Sequence, residues 1–333
     1  MNKFTHVNAT NVANAASVLA KGKAQVIAGG TDLTSSLKGM ISPNLPETVV
    51  NIKTASDLPR TIREEGNTLR IGALATLSDI ASNTIVKGKY TALAEAALAV
   101  GSPELRNLGT IGGNICQKPR CIYYRNEFND FPCLRKVSTG TCYALQGFNR
   151  FHSIYGPTNA CFAVCPSDTA VALVALGAKI ITNKNSAGWN AADFFGMPNV
   201  TDARREQINN LAADEIVTEI QVPAPASGTK STYKKFAFRK AIDFPLVSVA
   251  AVATISGGNV TAASIVLGGV FNSPRVATQA QTSITGKAIN TANATAAGEA
   301  AVATAAGVTS LPQNNYKLQI TKTMIKRALL ALA

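Results

Sequence analysis

The chain is poor in histidine, in charge and in long apolar runs, and each shortage removes a class of function. Only His6 and His152 occur in 333 residues, so a histidine-based metal centre or a Ser-His-Asp triad is hard to assemble. No apolar stretch approaches the ~20 residues a membrane span needs. Met1–Gly22 lacks the basic-then-apolar order of a secretory signal, and a soluble protein with no export signal of its own is expected. Two nucleotide fingerprints are also missing: no Gly-x-Gly-x-x-Gly opens a βαβ unit, and no Gly-Lys-Ser/Thr closes a phosphate loop. Paired C-x-x-C knuckles are absent as well.

The charge that is present is lopsided, with a net of +13. Lys and Arg are scattered, without an arginine-rich helix, a zinc-finger spacing or an aromatic-plus-basic ribonucleoprotein signature. That distribution argues against nucleic acid and for anionic cofactors or acidic partner subunits. With 46% apolar and 15% charged residues, the chain as a whole is not disordered. Its length leaves room for two or three compact units.

Two glycine stretches and one run of cysteines dominate the pattern. Gln25-Val26-Ile27-Ala28 reads as a short strand breaking at Gly29-Gly30, followed by Thr31-Asp32 and a helix over Leu33–Met40. A turn of this kind presents successive N–H groups next to a helix N-terminus, a setting suited to phosphate. Asp32 is expected to cap that helix, since a carboxylate aimed at a pyrophosphate would be repelled. Gly109-Thr110-Ile111-Gly112-Gly113-Asn114 is the second stretch, read as a tight turn that allows close approach of a ligand, with hydrogen-bonding groups at Thr110 and Asn114.

All six cysteines lie between Cys116 and Cys165. The residues around Cys121, Cys133, Cys142 and Cys161 are rich in Gly, Pro, Asn and aromatics, which indicates a loop wrapped around something. Four thiolates holding an iron–sulfur cluster would order it, with Lys118, Arg120, Arg125, Arg135 and Lys136 offsetting the negative charge. Zinc is the alternative ligand, and disulfides are disfavoured in a chain of this size. Cys116 and Cys165 are left as buried thiols.

Elsewhere, helices are expected over Val12–Leu19, capped by Thr10 or Asn11, from Thr76, and over Tyr90–Val100. Strands are expected at Val49–Ile52, Leu69–Ala73, Lys179–Thr182 and Glu215–Val222, the last as a closing strand. Thr169–Leu176 starts a helix or strand, and Asp168 either caps it or accepts bonds from ligand hydroxyls. Pro223–Gly228 reads as a linker. Beyond it come strands at Ser231–Phe238, Leu246–Ser256 and Val260–Leu267, a Gly257-Gly258-Asn259 hairpin, and helices within Gly286–Gly307 and Asn315–Leu332.

Ala28-Gly-Gly-Thr-Asp-Leu33, Gly109–Asn114, Pro166-Ser-Asp168, Tyr233-Lys-Lys-Phe236 and Asp243-Phe-Pro-Leu-Val247, in this order, resemble the flavin subunit of the molybdenum hydroxylases, the xanthine dehydrogenase and carbon monoxide dehydrogenase medium-subunit family. The cysteine insertion resembles the periplasmic aldehyde oxidoreductase branch, whose flavin subunit carries an extra [4Fe–4S] cluster. Arg120-Cys121-x-Tyr-Tyr, Pro132-Cys133, Gly140-x-Cys142 and Ala160-Cys161 carry that likeness. Cys165 departs from it where a histidine is expected, and Cys116 where an apolar residue is expected.

The resemblance implies an α+β fold. Residues 1–225 would form a two-subdomain FAD-binding domain of the vanillyl-alcohol-oxidase (PCMH) type, split near 56 and carrying the cluster loop 116–165. Residues 226–333 would form a smaller C-terminal α+β domain. It further implies FAD held by Ile27, Ala28, Gly29, Gly30, Thr31, Asp32, Leu33, Thr110, Gly113, Asn114 and Asp168, with Ile216, Lys235 and Phe244 beside the isoalloxazine. Cys121, Cys133, Cys142 and Cys161 would ligate a [4Fe–4S] cluster. The implied role is electron transfer, with no catalytic acid, base or nucleophile in this chain.

The expected partners are a small subunit with two [2Fe–2S] clusters, a large molybdenum subunit that oxidises an aldehyde or N-heterocycle, and a terminal acceptor: oxygen, a quinone, a carrier protein or NAD. The location would be cytoplasmic, or periplasmic by co-export with a partner bearing a twin-arginine signal. Two other readings are a self-contained flavin oxidase or reductase, which would need an acid/base pair by the ring, and a zinc-stabilised assembly protein without a redox role.

Overall fold

A computed structural model describes residues 1–333. The architecture is α+β, built on three sheets. Strands β1 (Thr5–Asn8), β2 (Ala24–Ile27) and β3 (Thr48–Asn51) form a small parallel sheet in the order β1-β3-β2. Parallel neighbours need crossovers. Helix Val12–Leu19 supplies one, capped by Asn11, whose side-chain oxygen accepts the Asn14 N–H at 2.7 Å.

Strands β4 (Ile62–Glu65), β5 (Thr68–Gly72), β6 (Lys179–Thr182), β7 (Trp189–Asn190) and β8 (Val217–Pro223) make an antiparallel sheet ordered β4-β5-β8-β6-β7. The strand read as closing the unit is thus the middle of the sheet, with Ile220 and Val222 fully buried. The cysteine segment lies between the helix Ile111–Ile115 and β6 and contains only two short 3-10 turns, Glu127–Asn129 and Tyr143–Leu145.

The third sheet is an antiparallel meander, β9 (Thr229–Phe236), β10 (Val247–Ser256), β11 (Asn259–Gly268) and β12 (Arg275–Val276). Gly257 and Gly258 join β10 to β11 with φ of 56° and 80°, both left-handed, as a type I′ hairpin requires. Successive side chains of a strand point to opposite faces. In β10, Val247, Val249, Ala251 and Ala253 pack with helices Thr278–Ile284, Thr291–Ala301 and Tyr316–Leu330, while Ala250 joins the larger core on the other side.

Helix Asp168–Ala175 connects these layers. All eight of its residues are buried, and it packs on helices Thr91–Leu98 and Ile111–Ile115 and on β10 and β11. A fully buried Leu or Val contributes about 1.5–3 kcal/mol, so Val171, Leu173 and Val174 make this helix a main anchor of the larger core.

Candidate functional site

A cleft of about 490 Å³ opens where the three sheets meet. All fourteen residues assigned to a cofactor from sequence line it: Ile27 to Leu33, Thr110, Gly113, Asn114, Asp168, Ile216, Lys235 and Phe244. They come from positions spread over more than two hundred residues, and the fold gathers them on one surface.

The first glycine stretch crosses the cleft after β2. Gly30 takes φ of 73°, in the left-handed region, and a side chain at Gly29 would run into the Leu108 carbonyl. The N–H groups of Gly29, Gly30, Thr31 and Asp32 donate to no other group of the chain. Backbone donors are almost always paired when away from water, so four successive free ones at a cleft suit an anion.

Asp32 does not do what its position suggested. It occupies the N-cap position of helix Leu33–Lys38 but makes no capping bond. Its Oδ1 lies 2.7 Å from Arg120 and 2.8 Å from Arg125, and its Oδ2 accepts the Lys118 N–H at 3.0 Å. The two guanidinium groups outbid a local N–H for the carboxylate, because charge-assisted bonds are the stronger ones. With two cations on one anion, the repulsion of a pyrophosphate that Asp32 would otherwise cause is removed.

The second glycine stretch is not a turn. Ile111–Ile115 is a short helix, and the Thr110 hydroxyl caps it by accepting the Gly113 N–H at 3.1 Å. Its other donors are spent internally: Ile111 N–H on Ala75 and Gly112 N–H on Ala73, at 2.9 and 3.0 Å. Asn114 is buried, and its Oδ1 accepts from the hydroxyls of Ser167 and Thr169, both at 2.6 Å. Ser167, rather than Asp168, caps the following helix.

Asp168 lies in the first turn of that helix, 3% exposed. It accepts from Tyr233 at 2.5 Å and from Lys235 at 2.7 Å. Burial pushes its carboxyl above the ordinary carboxylate range, with Lys235 and Tyr233 pulling the other way. Lys235 also donates to the Ala99 carbonyl at 2.9 Å, so the ammonium is a fixed strut across the cleft wall. Ile216, just before β8, donates its N–H to the Asn183 side-chain oxygen at 2.8 Å and accepts the Asn183 N–H at its carbonyl. Phe244 is half-exposed at the rim, with the Arg120 guanidinium 4.7 Å from its ring centre, within cation–π range.

The four cysteines assigned to a cluster are free thiols packed into one region. Burial pushes Cys121 up to about 12 and Cys133 up to about 11, and it raises Cys161 as well. Cys121 also feels Cys161 and Cys133, Cys133 feels Cys161, and Cys161 feels Cys142. No group of three or more His, Cys, Asp or Glu side chains is tight enough to hold a single metal ion.

The cations around this loop have different roles from those the sequence suggested. Lys118 pairs with Glu206 at 3.0 Å, Arg120 and Arg125 with Asp32, and Arg135 donates to the carbonyls of Pro198, Arg205 and Thr158. Only Lys136 is left over. It is 1% exposed, its ammonium has no hydrogen-bond partner, and Cys133 is the foremost group favouring its charge against burial.

Glu206 pins the loop to the first unit, accepting from Ser42 and Tyr124, both at 2.6 Å, as well as from Lys118. Burial alone would raise its pKa, but Lys118 and the two hydroxyls outweigh that and hold it below the ordinary range. His152 Nε2 lies 3.2 Å from Cys121 Sγ, and burial pushes the imidazole down to about 4. A second cavity of about 210 Å³, between Cys121, His152, Cys165, Phe151 and Phe244, adjoins the cleft, with Arg120 lining both.

Residues 2–225 match the family described as the FAD binding domain in molybdopterin dehydrogenase, and residues 231–332 match the CO dehydrogenase flavoprotein C-terminal domain. The chain belongs to the FAD-binding medium subunits of the molybdenum hydroxylases. It is 33% identical over 278 residues to the aldehyde oxidoreductase FAD-binding subunit PaoB of Escherichia coli K12, covering 82% of this chain and 83% of that one. The carbon monoxide dehydrogenase medium chain of Hydrogenophaga pseudoflava is 28% identical over 307 residues, 92% of this chain and 88% of that one. The solved carbon monoxide dehydrogenase from that organism, in a form lacking the Mo-pyranopterin moiety, aligns with a TM-score of 0.73 at 26% identity over 99% of this chain and 97% of that chain.

For such an FAD-binding subunit the cleft has the right chemistry: free N–H groups, cations, an aromatic ring and apolar walls. A buried ammonium without a partner is costly, and Lys136 stands beside Cys133, where thiolates holding a metal group would give it a counter-charge. Sequence reasoning missed Lys118 and Arg120 as cleft residues; their adjacency to Cys121 directed attention to the cluster alone.

Proposed function

We propose that this oxidoreductase subunit carries FAD and a [4Fe–4S] cluster and passes electrons from a molybdenum-dependent hydroxylase to a terminal acceptor. The reading rests foremost on one observation: the cysteine loop is itself a wall of the flavin cleft, through Cys116, Gln117, Lys118 and Arg120. The likeness to an aldehyde oxidoreductase FAD-binding subunit supports it. A large molybdenum subunit would oxidise an aldehyde or N-heterocycle, and a small subunit with two [2Fe–2S] clusters would deliver the electrons. Bound FAD supplies the ability to take electrons singly and release them singly or in pairs.

The residues of this chain bind, orient and neutralise. The N–H groups from Gly29 to Asp32 hold the pyrophosphate, Thr110, Gly113 and Asn114 shape the neighbouring wall, and Asp168 meets the flavin chain. Ile216, Lys235 and Phe244 flank the ring. Cys121, Cys133, Cys142 and Cys161 hold the cluster, and Lys136 balances its charge. A self-contained oxidase is disfavoured because, of the cleft's carboxylates, Asp32, Asp168 and Asp243 are tied to cations and Glu215 accepts from Thr182, Trp189 and the Ala212 N–H.

The visible spectrum of the purified complex before and after dithionite, with flavin extraction and an iron assay, tests this. One FAD and about four irons per chain beyond those of the partners are expected, the count for a four-thiolate [4Fe–4S] site. FAD without that iron would reduce the cysteines to a structural role, and absence of both would overturn the proposal.

A further inference from the structure

The cysteine loop and the first glycine stretch are joined by a single carboxylate. Asp32 belongs to the turn whose free N–H groups face the cleft, yet three of its contacts, with Arg120, Arg125 and the Lys118 N–H, are with the loop that leads into Cys121. Lys118 and Arg120 are among the residues that line the cleft. Arg125 completes the bracket by donating to the Ser36 hydroxyl on the helix after that turn and to the Pro119 and Lys118 carbonyls, at 2.8, 2.7 and 3.0 Å. The cationic side of the cleft is therefore supplied by the cysteine loop.

Little regular structure holds that loop. Apart from two 3-10 turns, it is held by side-chain pins and by scattered backbone bonds, among them Phe128 to Gly39, Ile154 to Val270 and Cys165 to Phe271, few of them near Lys118 and Arg120. A loop that loses its central ligand recovers conformational entropy, and Lys118 and Arg120 would then leave the cleft. An anionic dinucleotide bound in the cleft, conversely, would hold both cations and so hold the loop in place. Two sites sharing one ordered element are coupled, and the coupling is reciprocal.

We infer that Asp32 is a positioning residue coupling the two cofactor sites, so that FAD is held more tightly when the thiols of the cysteine loop are loaded, through Lys118 and Arg120. The inference rests on the reading of the cysteines given above and concerns the affinity of FAD for the cleft, apart from catalysis.

The test is a double-mutant cycle on the complex purified with its partners, stripped of flavin by dialysis against concentrated potassium bromide. FAD is titrated back and its Kd read from quenching of flavin fluorescence. Cys133 lines neither cavity, so Cys133→Ser removes a thiol without touching the cleft. Cys133→Ser is expected to weaken FAD at least about five-fold, the lower end of ordinary coupling between sites. Asp32→Asn alone should weaken it comparably, and the double variant should lose little more.

Unchanged FAD affinity in an iron-depleted Cys133→Ser complex would overturn the inference, as would fully additive losses in the double variant. If Cys133→Ser does not fold by circular dichroism, Cys142→Ser, whose thiol is half-buried and also outside both cavities, takes its place. A wild-type complex without the extra iron would instead mark failure of the underlying reading, which the iron assay detects before any titration.

Discussion

The two glycine stretches look alike as sequence and are used in opposite ways. Gly29-Gly30-Thr31-Asp32 leaves four N–H groups without partners, while Gly109–Asn114 leaves only that of Thr110 and commits the rest to Leu105, Ala75, Ala73 and Thr110. What differs is the backing. The first stretch leaves the edge strand β2 of a small sheet and rests on the end of helix Pro103–Leu108 through a glycine with no side chain to obstruct it. The second is pressed onto the chain just after β5 and onto the buried helix that begins at Asp168. A glycine-rich motif thus offers a run of amides to a ligand only where nothing in the protein has already claimed them.

That contrast can be broken most directly at Asn114. Replacing it with Ala leaves the buried Ser167 and Thr169 hydroxyls without their acceptor, at about 1–3 kcal/mol for each unsatisfied group. Chemical denaturation should show a stability loss of about 2–6 kcal/mol, with FAD affinity falling less. An Asn114→Ala protein of unchanged stability that no longer binds FAD would reverse the roles assigned to the two stretches. Gly30→Ala should do the opposite. Its left-handed φ costs a side chain about 1–2 kcal/mol, and the displaced amides should show chiefly as weaker FAD binding in equilibrium titration.

The smallest effect is one of sign with pH. Asp168, beside the second stretch, has its folded pKa raised by burial, so its contribution is present below the unfolded carboxyl value and lost as pH rises through the folded value. Glu206, which pins the cysteine loop beside the first stretch, has its folded pKa lowered. Its contribution is present above the unfolded value and lost as pH falls through the folded one. Each slope is at most about 1.4 kcal/mol per pH unit. In melting temperatures measured from pH 3 to 7, Asp168→Asn should make stability fall more steeply on acidification and Glu206→Gln less steeply. Matching trends in the two variants would refute the assignment.

Much of the scaffold was legible because local signals agreed with the fold. Val12–Leu19 and Lys179–Thr182 form over the spans expected, and the Gly257-Gly258 hairpin has the turn its residues call for. Strands β1 and β4 were illegible for a physical reason: they are edge strands with mostly exposed residues, so no alternation marks them. Helix Pro103–Leu108 buries no residue, its Leu105 and Leu108 being exposed, although Ser102 as cap and Pro103 at the first position were signals for it.

In the site, the free amides of the first stretch followed from the strand-turn-helix pattern. The positions of Lys235 and Phe244 came from resemblance, since nothing local distinguishes them. The partners of Asp32 lie 86 to 93 positions away, and no local pattern reports a contact of that separation.

The helix Asp168–Ala175 carries a consequence for how the chain is made. Its eight buried residues are shared between the core around β8 and the sheet of β10 and β11. On the ribosome this apolar segment emerges well before β11, which ends at Gly268, and until then its outward face has nothing to cover it. Contacts so distant along the chain form slowly, and uncovered apolar surface in a half-made chain invites aggregation. Assembly of the N-terminal part should therefore wait on synthesis of the C-terminal sheet, making the final third of the chain a folding partner for the flavin cleft as well as one of its walls.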